Sequence, residues 1–193
     1  WQTPDFALYP LEETVGVLTE LKKEGKIRAI GASNVTEDII KGYCSLGQLD
    51  VIQEKYSILD SHIRSELAQV CEENKVSIQA YSPLEQGLLT GKVKADVKLA
   101  KGDVRNRNRF FSPENLPKVM RLLEHWEPLC LKYNCTMSNL VIACTAKTID
   151  GLHVLCGARK PEQIRDNSGA LLLTLEQSDI DRMLEDVKNE GLS

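Results

Sequence analysis

The 193-residue chain has 42% apolar and 27% charged residues, an ordinary globular composition that argues against intrinsic disorder. The length suits one domain over residues 1–193, with enough chain to bury a core. A net charge of −4 argues against a nucleic-acid partner, and no apolar run in the sequence reaches the length of a membrane span.

Six widely spaced cysteines and three histidines show no metal-ligand spacing and no CxxC pair. The cysteines therefore indicate small core residues in a reducing, cytoplasmic compartment, and no metal site is expected. The chain begins at Trp1, without an initiator methionine and inside a predicted loop. We accordingly expect it to be a fragment of a longer protein.

Helices and strands alternate along most of the chain. The predicted strands are residues 27–32, 51–56, 76–81 and 153–157. The predicted helices are residues 11–24, 37–46, 61 or 65 to 74, 117–133, 138–147, 161–171 and 176–189, with Gly25 as a stop and Thr36 and Thr174 as caps. This order predicts a parallel sheet with its ligand site at the carboxyl ends of the strands. The sheet is either half of an eight-stranded barrel or a small open sheet.

The segment from Val154 to Asn167 predicts a phosphate site. Its apolar run, Val154 to Cys156, is typical of a strand covered on both faces. Gly157 then allows a turn, two cations follow, and Pro161 suits the first position of a helix whose free N–H groups attract anions. The alternative is an ordinary strand-to-helix turn with solvated cations, and these residues alone favour it slightly.

Polar residues follow the ends of all four predicted strands, and a long charged connection separates the third strand from the next helices. Such connections, here residues 84–113, are typical of lids and ligand loops. The polar residues are Ser33, Asn34, Gln53, Tyr81, Ser82, Arg159 and Gln163. Their common position favours a binding site over chance.

Three ordered segments resemble motifs of the aldo-keto reductase family. Residues 25–34 (GKIRAIGASN) resemble its fifth-strand signature, residues 81–92 (YSPLEQGLLTGK) its seventh-strand loop, and residues 157–167 (GARKPEQIRDN) its eighth-strand cofactor motif. Residues 102–106 (GDVRN) also resemble the long loop of the bacterial general-stress and channel-β-like branches. The resemblance runs from about residue 1 to residue 187.

This resemblance implies an α/β fold, the (β/α)8 TIM barrel, of which the chain would supply about strands 5–8 and their helices. It implies an NADP(H)-dependent oxidoreductase that reduces aldehydes or ketones to alcohols by hydride transfer. The family's catalytic Asp, Tyr, Lys and His come from the first four strands, so no catalytic residue is expected here. The implied partners are a small carbonyl substrate and the missing N-terminal half of the barrel, and self-association stays open.

The resemblance also assigns cofactor contacts along the chain. It places Ser33, Asn34 and Gln53 at the nicotinamide carboxamide and Tyr81 against the ring, although a plain rim aromatic is the alternative for Tyr81. Along the pyrophosphate it places Ser82, Leu84, Gln86, Gly87, Leu88 and Lys92.

The remaining contacts fall on the long loop and on the last motif. Arg105 would close over the cofactor, with Arg107 as a competitor. Gly157 would form the turn, and Arg159 with Lys160 would bind the 2′-phosphate. Gln163, Asp166 and Asn167 would face the adenosine, while solvated charge is the alternative for Lys92 and Asp166.

One residue departs from the family pattern without a reason in the sequence. Glu85 stands where the family has a small residue, and it puts a negative charge beside the expected pyrophosphate. Two functional alternatives also remain: a channel-β-like regulatory subunit and an inactive truncated paralogue. A half-barrel is further expected to expose strand edges and an apolar inner face, which favours aggregation.

Overall fold

The computed structural model describes residues 10–61, 63 and 66–192, so most of the loop predicted at residues 1–10 and the helix start predicted at Ser65 lie outside them. The helices are α1 (Leu11–Lys23), α2 (Glu37–Leu46), α3 (Ala68–Asn74), α4 (Leu116–Lys132), α5 (Met137–Ala146), α6 (Pro161–Ser168) and α7 (Gln177–Asn189). The strands are β1 (Gly31–Ser33), β2 (Val51–Lys55), β3 (Ser77–Tyr81) and β4 (His153–Leu155).

The four strands form one parallel sheet in the order β1-β2-β3-β4. This confirms the predicted alternation of strands and helices. Because all four strands run the same way, their carboxyl ends meet at one edge, which is called the rim below. Within the described residues β1 and β4 each pair with one strand only.

Strand β1 starts later than the predicted Ile27. The Ile30 N–H donates to the Asp50 carboxylate at 2.7 Å, and the Ile30 carbonyl accepts from the Asp50 and Val51 N–H groups at 2.9 and 3.3 Å. The backbone of Ile30 is thus hydrogen-bonded to Asp50 and Val51 outside the regular strand pairing, so the ladder begins at Gly31. An added Cβ at Gly31 would lie 2.9 Å from Val51 Cγ1, so glycine allows this close approach of β1 and β2.

Two predictions about the sheet faces were wrong. Strand β4 is not covered on both faces, because His153 and Leu155 are exposed and only Val154 is half-buried. The inner face is not apolar either: Ala32, Ile52, Ile78 and Ala80 pack against the helices. Most positions that face away from them are polar, with Val51 and Leu155 as apolar exceptions; the polar ones are Ser33, Gln53, Lys55, Ser77, Gln79, Tyr81 and His153. This polar face suits a ligand or solvent better than a dry core.

The helix boundaries follow the sequence with some corrections. Gly25 ends α1 with a left-handed φ of +72°, and Pro161 is the first residue of α6, as predicted. Thr36 precedes α2, but its hydroxyl makes no capping hydrogen bond in the described structure. Glu176, not Thr174, precedes α7. Helix α6 ends at Ser168 and continues as a 3₁₀ turn instead of reaching Leu171.

Between β3 and α4 the chain forms two connected segments that are named here by position. The β3 loop, residues 82–92, contains the 3₁₀ segment Glu85–Thr90. The long loop, residues 93–113, contains two shorter 3₁₀ segments, Val104–Arg107 and Arg109–Phe111. A second apolar cluster, built around Trp126 and Phe110, packs α4, α5 and α7 beneath these loops.

The six cysteines are free thiols, two of them buried and four half-buried. Cys71 and Cys144 are buried, and burial raises the pKa of both thiols to about 12. They therefore stay protonated at neutral pH and behave as apolar residues, which agrees with the packing role predicted from their spacing.

Candidate cofactor site

The strand register brings several predicted residues to one level of the rim. Ser33 pairs with Gln53, and Gln53 pairs with Gln79 on the next strand. One pleat further along, Tyr81 pairs with Lys55 and with Leu155. The side chains of Ser33, Gln53 and Tyr81 are all half-buried. Three strands therefore contribute polar groups to the same small area.

Amide and hydroxyl groups dominate this area. The Ser33 hydroxyl donates to the Gln53 carbonyl at 2.7 Å, and Gln53 Nε2 donates to Gln79 Oε1 at 3.2 Å. Gln79 was missed in the sequence, although its position two residues before Tyr81 puts both on one face of β3. A set of donors and acceptors of this kind matches a carboxamide, which offers both.

Tyr81 is fixed across the sheet by the residue that follows β1. Its hydroxyl donates to Asn34 Oδ1 at 2.8 Å, and Asn34 adopts a left-handed φ of +57°. Burial raises the pKa of Tyr81, and the negative charge of Glu54 raises it further. The phenol is therefore neutral at physiological pH, and the ring is held by its hydroxyl in one orientation. Stacking on a nicotinamide remains a prediction.

The β3 loop folds tightly through left-handed residues. Ser82, Gln86 and Gly87 have φ values of +59°, +56° and +93°. The Gly87 and Leu89 N–H groups both donate to the Leu84 carbonyl, at 2.9 and 3.2 Å. Leu88 is fully buried, so of the predicted pyrophosphate contacts it could contribute its backbone only. Gln86 is exposed and Leu84 half-buried.

Arg105 lies on the long loop but is paired within it. Its guanidinium donates to both Asp103 carboxylate oxygens, with Nη2 at 2.6 Å from Oδ2 and Nε at 3.0 Å from Oδ1. It also lies over the Phe111 ring, 5.8 Å from the centroid. To close over a cofactor, as predicted, Arg105 would have to leave Asp103 and bind a phosphate instead. The competitor Arg107 is exposed.

The pairing of Arg105 and Asp103 has a measurable consequence. Hydrogen bonds from the Arg105 side chain and backbone lower the pKa of Asp103 from 3.8 to about 2, and the charge of Arg159 contributes. A depressed carboxyl pKa means that the pair is intact above pH 3.8 and is lost as the pH falls through about 2. A carboxyl carbon NMR titration is expected to show this midpoint for Asp103.

Arg105→Gln should return the Asp103 midpoint most of the way to 3.8, because it removes the guanidinium donors. Arg107→Gln is the matched control and should leave the midpoint where it is. A wild-type midpoint close to the ordinary aspartate value would show that Arg105 is already free for a ligand.

The turn after β4 presents its cations to solvent. Gly157, Arg159 and Lys160 are exposed, and Gln163 Oε1 accepts from the Arg159 and Lys160 N–H groups at 2.7 and 3.1 Å. Gln163 thus caps its own helix, which was not part of its predicted role at the adenosine. Both cationic side chains are exposed at the amino end of α6, where the helix dipole favours an anion.

Helix α6 and the β3 loop are neighbours. The Asp166 carboxylate accepts from the Thr136 hydroxyl at 3.1 Å and lies 4.0 Å from Lys92 Nζ. Asn167 is half-buried on the same helix. The predicted pyrophosphate residue Lys92 and the predicted adenosine residue Asp166 therefore lie on adjoining segments.

Two further properties bear on the site. Among the residues that the structure describes, no group of three or more His, Cys, Asp and Glu side chains is arranged to hold a metal ion. In the same part of the chain, no helix combines the length and apolar character needed to cross a membrane.

Comparison with known sequences identifies a family. A sequence model of the Aldo/keto reductase family matches residues 2–187. The NADH-specific methylglyoxal reductase of Escherichia coli (strain K12) is 47% identical over 185 residues, which cover 96% of this chain and 56% of that protein. The aldo-keto reductase yakc [NADP(+)] of Schizosaccharomyces pombe is 28% identical and is covered to 54%. The chain thus spans just over half the length of these relatives.

Solved structures agree on the fold. The glycerol dehydrogenase AKR11B4 from Gluconobacter oxydans superposes with a TM-score of 0.88 at 25% identity, covering 96% of this chain and 56% of that one. The aldo-keto reductase AKR11C1 from Bacillus halodurans, in its holo form, gives a TM-score of 0.69 at 24% identity, with 96% and 58% covered.

Proposed function

The chain belongs to the aldo/keto reductase family, and on that basis we propose that its rim binds the nicotinamide cofactor of a carbonyl reductase. The reaction is reduction of an aldehyde or ketone to an alcohol by hydride transfer. The observation that supports it most is the alignment of Ser33, Gln53 and Tyr81 at one edge of a parallel sheet, with the cationic turn of β4 beginning at the same edge. The rim residues would bind the nicotinamide end of a dinucleotide, and the cationic turn would bind its phosphate end.

The proposed cofactor is NADP(H). Arg159 and Lys160 are exposed at the amino end of α6, where a 2′-phosphate would gain charge-assisted hydrogen bonds. The amide cluster of Ser33, Asn34 and Gln53 would take the carboxamide at the other end. The β3 loop between them would follow the pyrophosphate.

NADH is the second candidate. The relative from Escherichia coli at 47% identity is named as NADH-specific. In this chain the carboxylate of Asp103 lies close enough to Arg159 for the two charges to interact, which would oppose a 2′-phosphate there. Cofactor preference is therefore the first quantity to measure.

We further propose that the four strands correspond to strands 5–8 of the family barrel. The support is the order of the three motifs, which resemble the fifth-strand, seventh-strand and eighth-strand segments. The tetrad of Asp, Tyr, Lys and His would then belong to the other half of the barrel, which is the proposed partner along with a small carbonyl substrate. A cytoplasmic location fits the six free thiols.

Two titrations test this proposal. Fluorescence titration of the 193-residue chain with NADPH and with NADH should show saturable binding of at least one of them. Carbonyl reduction should appear only after refolding with the part of the Escherichia coli relative that lies outside the matched region. A chain that binds neither dinucleotide at millimolar concentration would overturn the proposal.

A further inference from the structure

Glu85 is a fully buried carboxylate in the loop that is proposed to follow the pyrophosphate. Its backbone is left-handed, with a φ of +45°, and it opens the 3₁₀ segment of the β3 loop. A buried charge is costly unless donors surround it, and a negative charge beside a phosphate site adds repulsion. We therefore expect interactions that compensate the buried charge of Glu85, and a structural reason for a carboxylate at this position.

Donors from two separate segments, the end of β2 and the long loop, meet this carboxylate. The Ser57 hydroxyl donates to Oε1 at 2.6 Å, and Asn108 Nδ2 donates to Oε2 at 2.8 Å. Lys55 Nζ lies 3.4 Å from Oε2 and 2.8 Å from the Asp60 carboxylate. Burial alone would lower the pKa of Lys55, but the bond to Asp60 and the charge of Glu85 outweigh it and raise that pKa. Lys55 therefore stays charged and supplies the counter-charge to the Glu85 carboxylate.

The Asn108 contact ties the long loop to this centre. Asn108 Oδ1 also accepts from the Phe110 N–H at 3.0 Å, and its Nδ2 lies 3.4 Å from Gln86 Oε1. Phe110 is fully buried, with the Arg109 guanidinium 4.7 Å above its ring. The carboxyl end of the long loop is therefore fixed on the β3 loop.

The earlier part of the long loop has a different character. Lys98, Lys101 and Arg107 are exposed, and Arg105 is bonded to Asp103 of the same loop. Asn108 is thus the side chain through which this charged segment is hydrogen-bonded to the buried carboxylate. The interaction joins three segments that are distant in sequence: the end of β2 with Lys55 and Ser57, the β3 loop with Glu85, and the long loop with Asn108.

We propose that Glu85 is a positioning residue that anchors the long loop on the β3 loop through Asn108, with Lys55 as its counter-charge. The anchor keeps Arg105 and Arg107 of the long loop near the β3 loop, which is proposed to follow the pyrophosphate, and slows release of the bound dinucleotide. This second consequence rests on the function proposed above, whereas the anchoring itself does not.

The anchor is tested by limited trypsin digestion of the intact chain. Glu85→Gln keeps the size of the side chain but removes its charge and one acceptor. Cleavage in the long loop, after Lys101, Arg105 or Arg107, should accelerate by about 10-fold or more, because proteolysis follows the population of the opened loop. Asn108→Ala should accelerate the same cleavages, and the double variant should be no faster than the faster single variant.

Asp50→Asn is the matched control. Asp50 forms a half-buried ion pair with Lys22 at 2.7 Å before β2, at the opposite end of the sheet. This change should lower the melting temperature without changing cleavage of the long loop. Stopped-flow displacement of NADPH or NADH, whichever binds, should show faster release from Glu85→Gln and unchanged release from Asp50→Asn.

The results separate the two proposals. If Glu85→Gln lowers the melting temperature as Asp50→Asn does but leaves loop cleavage unchanged, the anchor is overturned. If cleavage accelerates while dinucleotide release is unchanged, the anchor stands and its link to cofactor release is overturned. If the wild-type chain binds no dinucleotide, the proposed function fails, and the cleavage rates still decide the anchor. Asn108→Ala supplies that comparison if Glu85→Gln does not fold.

Discussion

Arg159→Ala is expected to weaken NADPH binding by about 10- to 100-fold, the loss that corresponds to charge-assisted hydrogen bonds to a phosphate. NADH lacks the 2′-phosphate, so its dissociation constant should change by less than about threefold. The ratio of the two dissociation constants is the informative quantity. It cancels any effect of the substitution on the shared parts of the cofactor.

Arg165→Ala provides the control for Arg159→Ala. Arg165 is an exposed arginine in the last turn of α6, the helix that follows Arg159, so it matches Arg159 in charge but lies farther from the helix start. Its removal should leave both dissociation constants nearly unchanged. An equal loss of NADPH affinity in both variants would indicate a general field effect instead of a specific contact.

The same experiment decides between the two cofactors. Tighter NADH binding by the wild-type chain, together with no effect of Arg159→Ala, would favour the preference named for the Escherichia coli relative. In that case Asp103→Asn should raise NADPH affinity, because it removes the negative charge that interacts with Arg159.

The order of elements could be predicted because its signals are local. Helical spacing of apolar residues, Gly25 after α1 and Pro161 at the start of α6 each mark a boundary within a few residues. The polar residues after the strands were placed on one rim by the parallel topology alone. The topology therefore followed from patterns that need no knowledge of tertiary contacts.

What the sequence did not predict depends on distant partners. The start of β1 is displaced because Asp50 captures the Ile30 N–H. Glu85 looked misplaced because its donors, Ser57 and Asn108, are 28 and 23 residues away. Gln79 was missed for another reason. Its position two residues before Tyr81 places both side chains on one face of β3, but Gln79 belongs to no motif.

The hydrogen-bond partners of side chains within loops could not be predicted from the sequence either. Arg105 was assigned to the cofactor by resemblance, yet in this structure its guanidinium is paired with Asp103, two residues earlier. Gln163 was expected to face the adenosine, and its Oε1 accepts hydrogen bonds from the backbone at the start of α6. Short polar segments have several acceptors within reach, so composition alone does not choose among them.

Ile52→Ala is expected to lower the free energy of unfolding by about 2–5 kcal/mol, the cost of a buried cavity of this kind. Ile52 is fully buried at the centre of the sheet, paired with Ala32 on β1 and Ile78 on β3, and it packs against the helices. The next residue, Gln53, belongs to the rim. Packing behind β2 therefore holds the strand that carries the proposed carboxamide ligand.

Urea unfolding in a Trp1→Phe background measures this cost, since Trp126 is then the remaining tryptophan of the two in the chain. Trp126 lies in the cluster of α4, α5 and α7, and Ile52 lies in the apolar cluster between the sheet and its helices. Coincident fluorescence and circular dichroism transitions would therefore show that both clusters unfold together.

Ile52→Val should cost only about 0.5–1.5 kcal/mol. Val17→Ala, at a side chain that is 62% exposed on α1, should change stability by less than about 0.5 kcal/mol. A loss below about 1 kcal/mol for Ile52→Ala would mean that the sheet centre relaxes around the cavity, and the rim would then lack the rigid support that ordered cofactor contacts require.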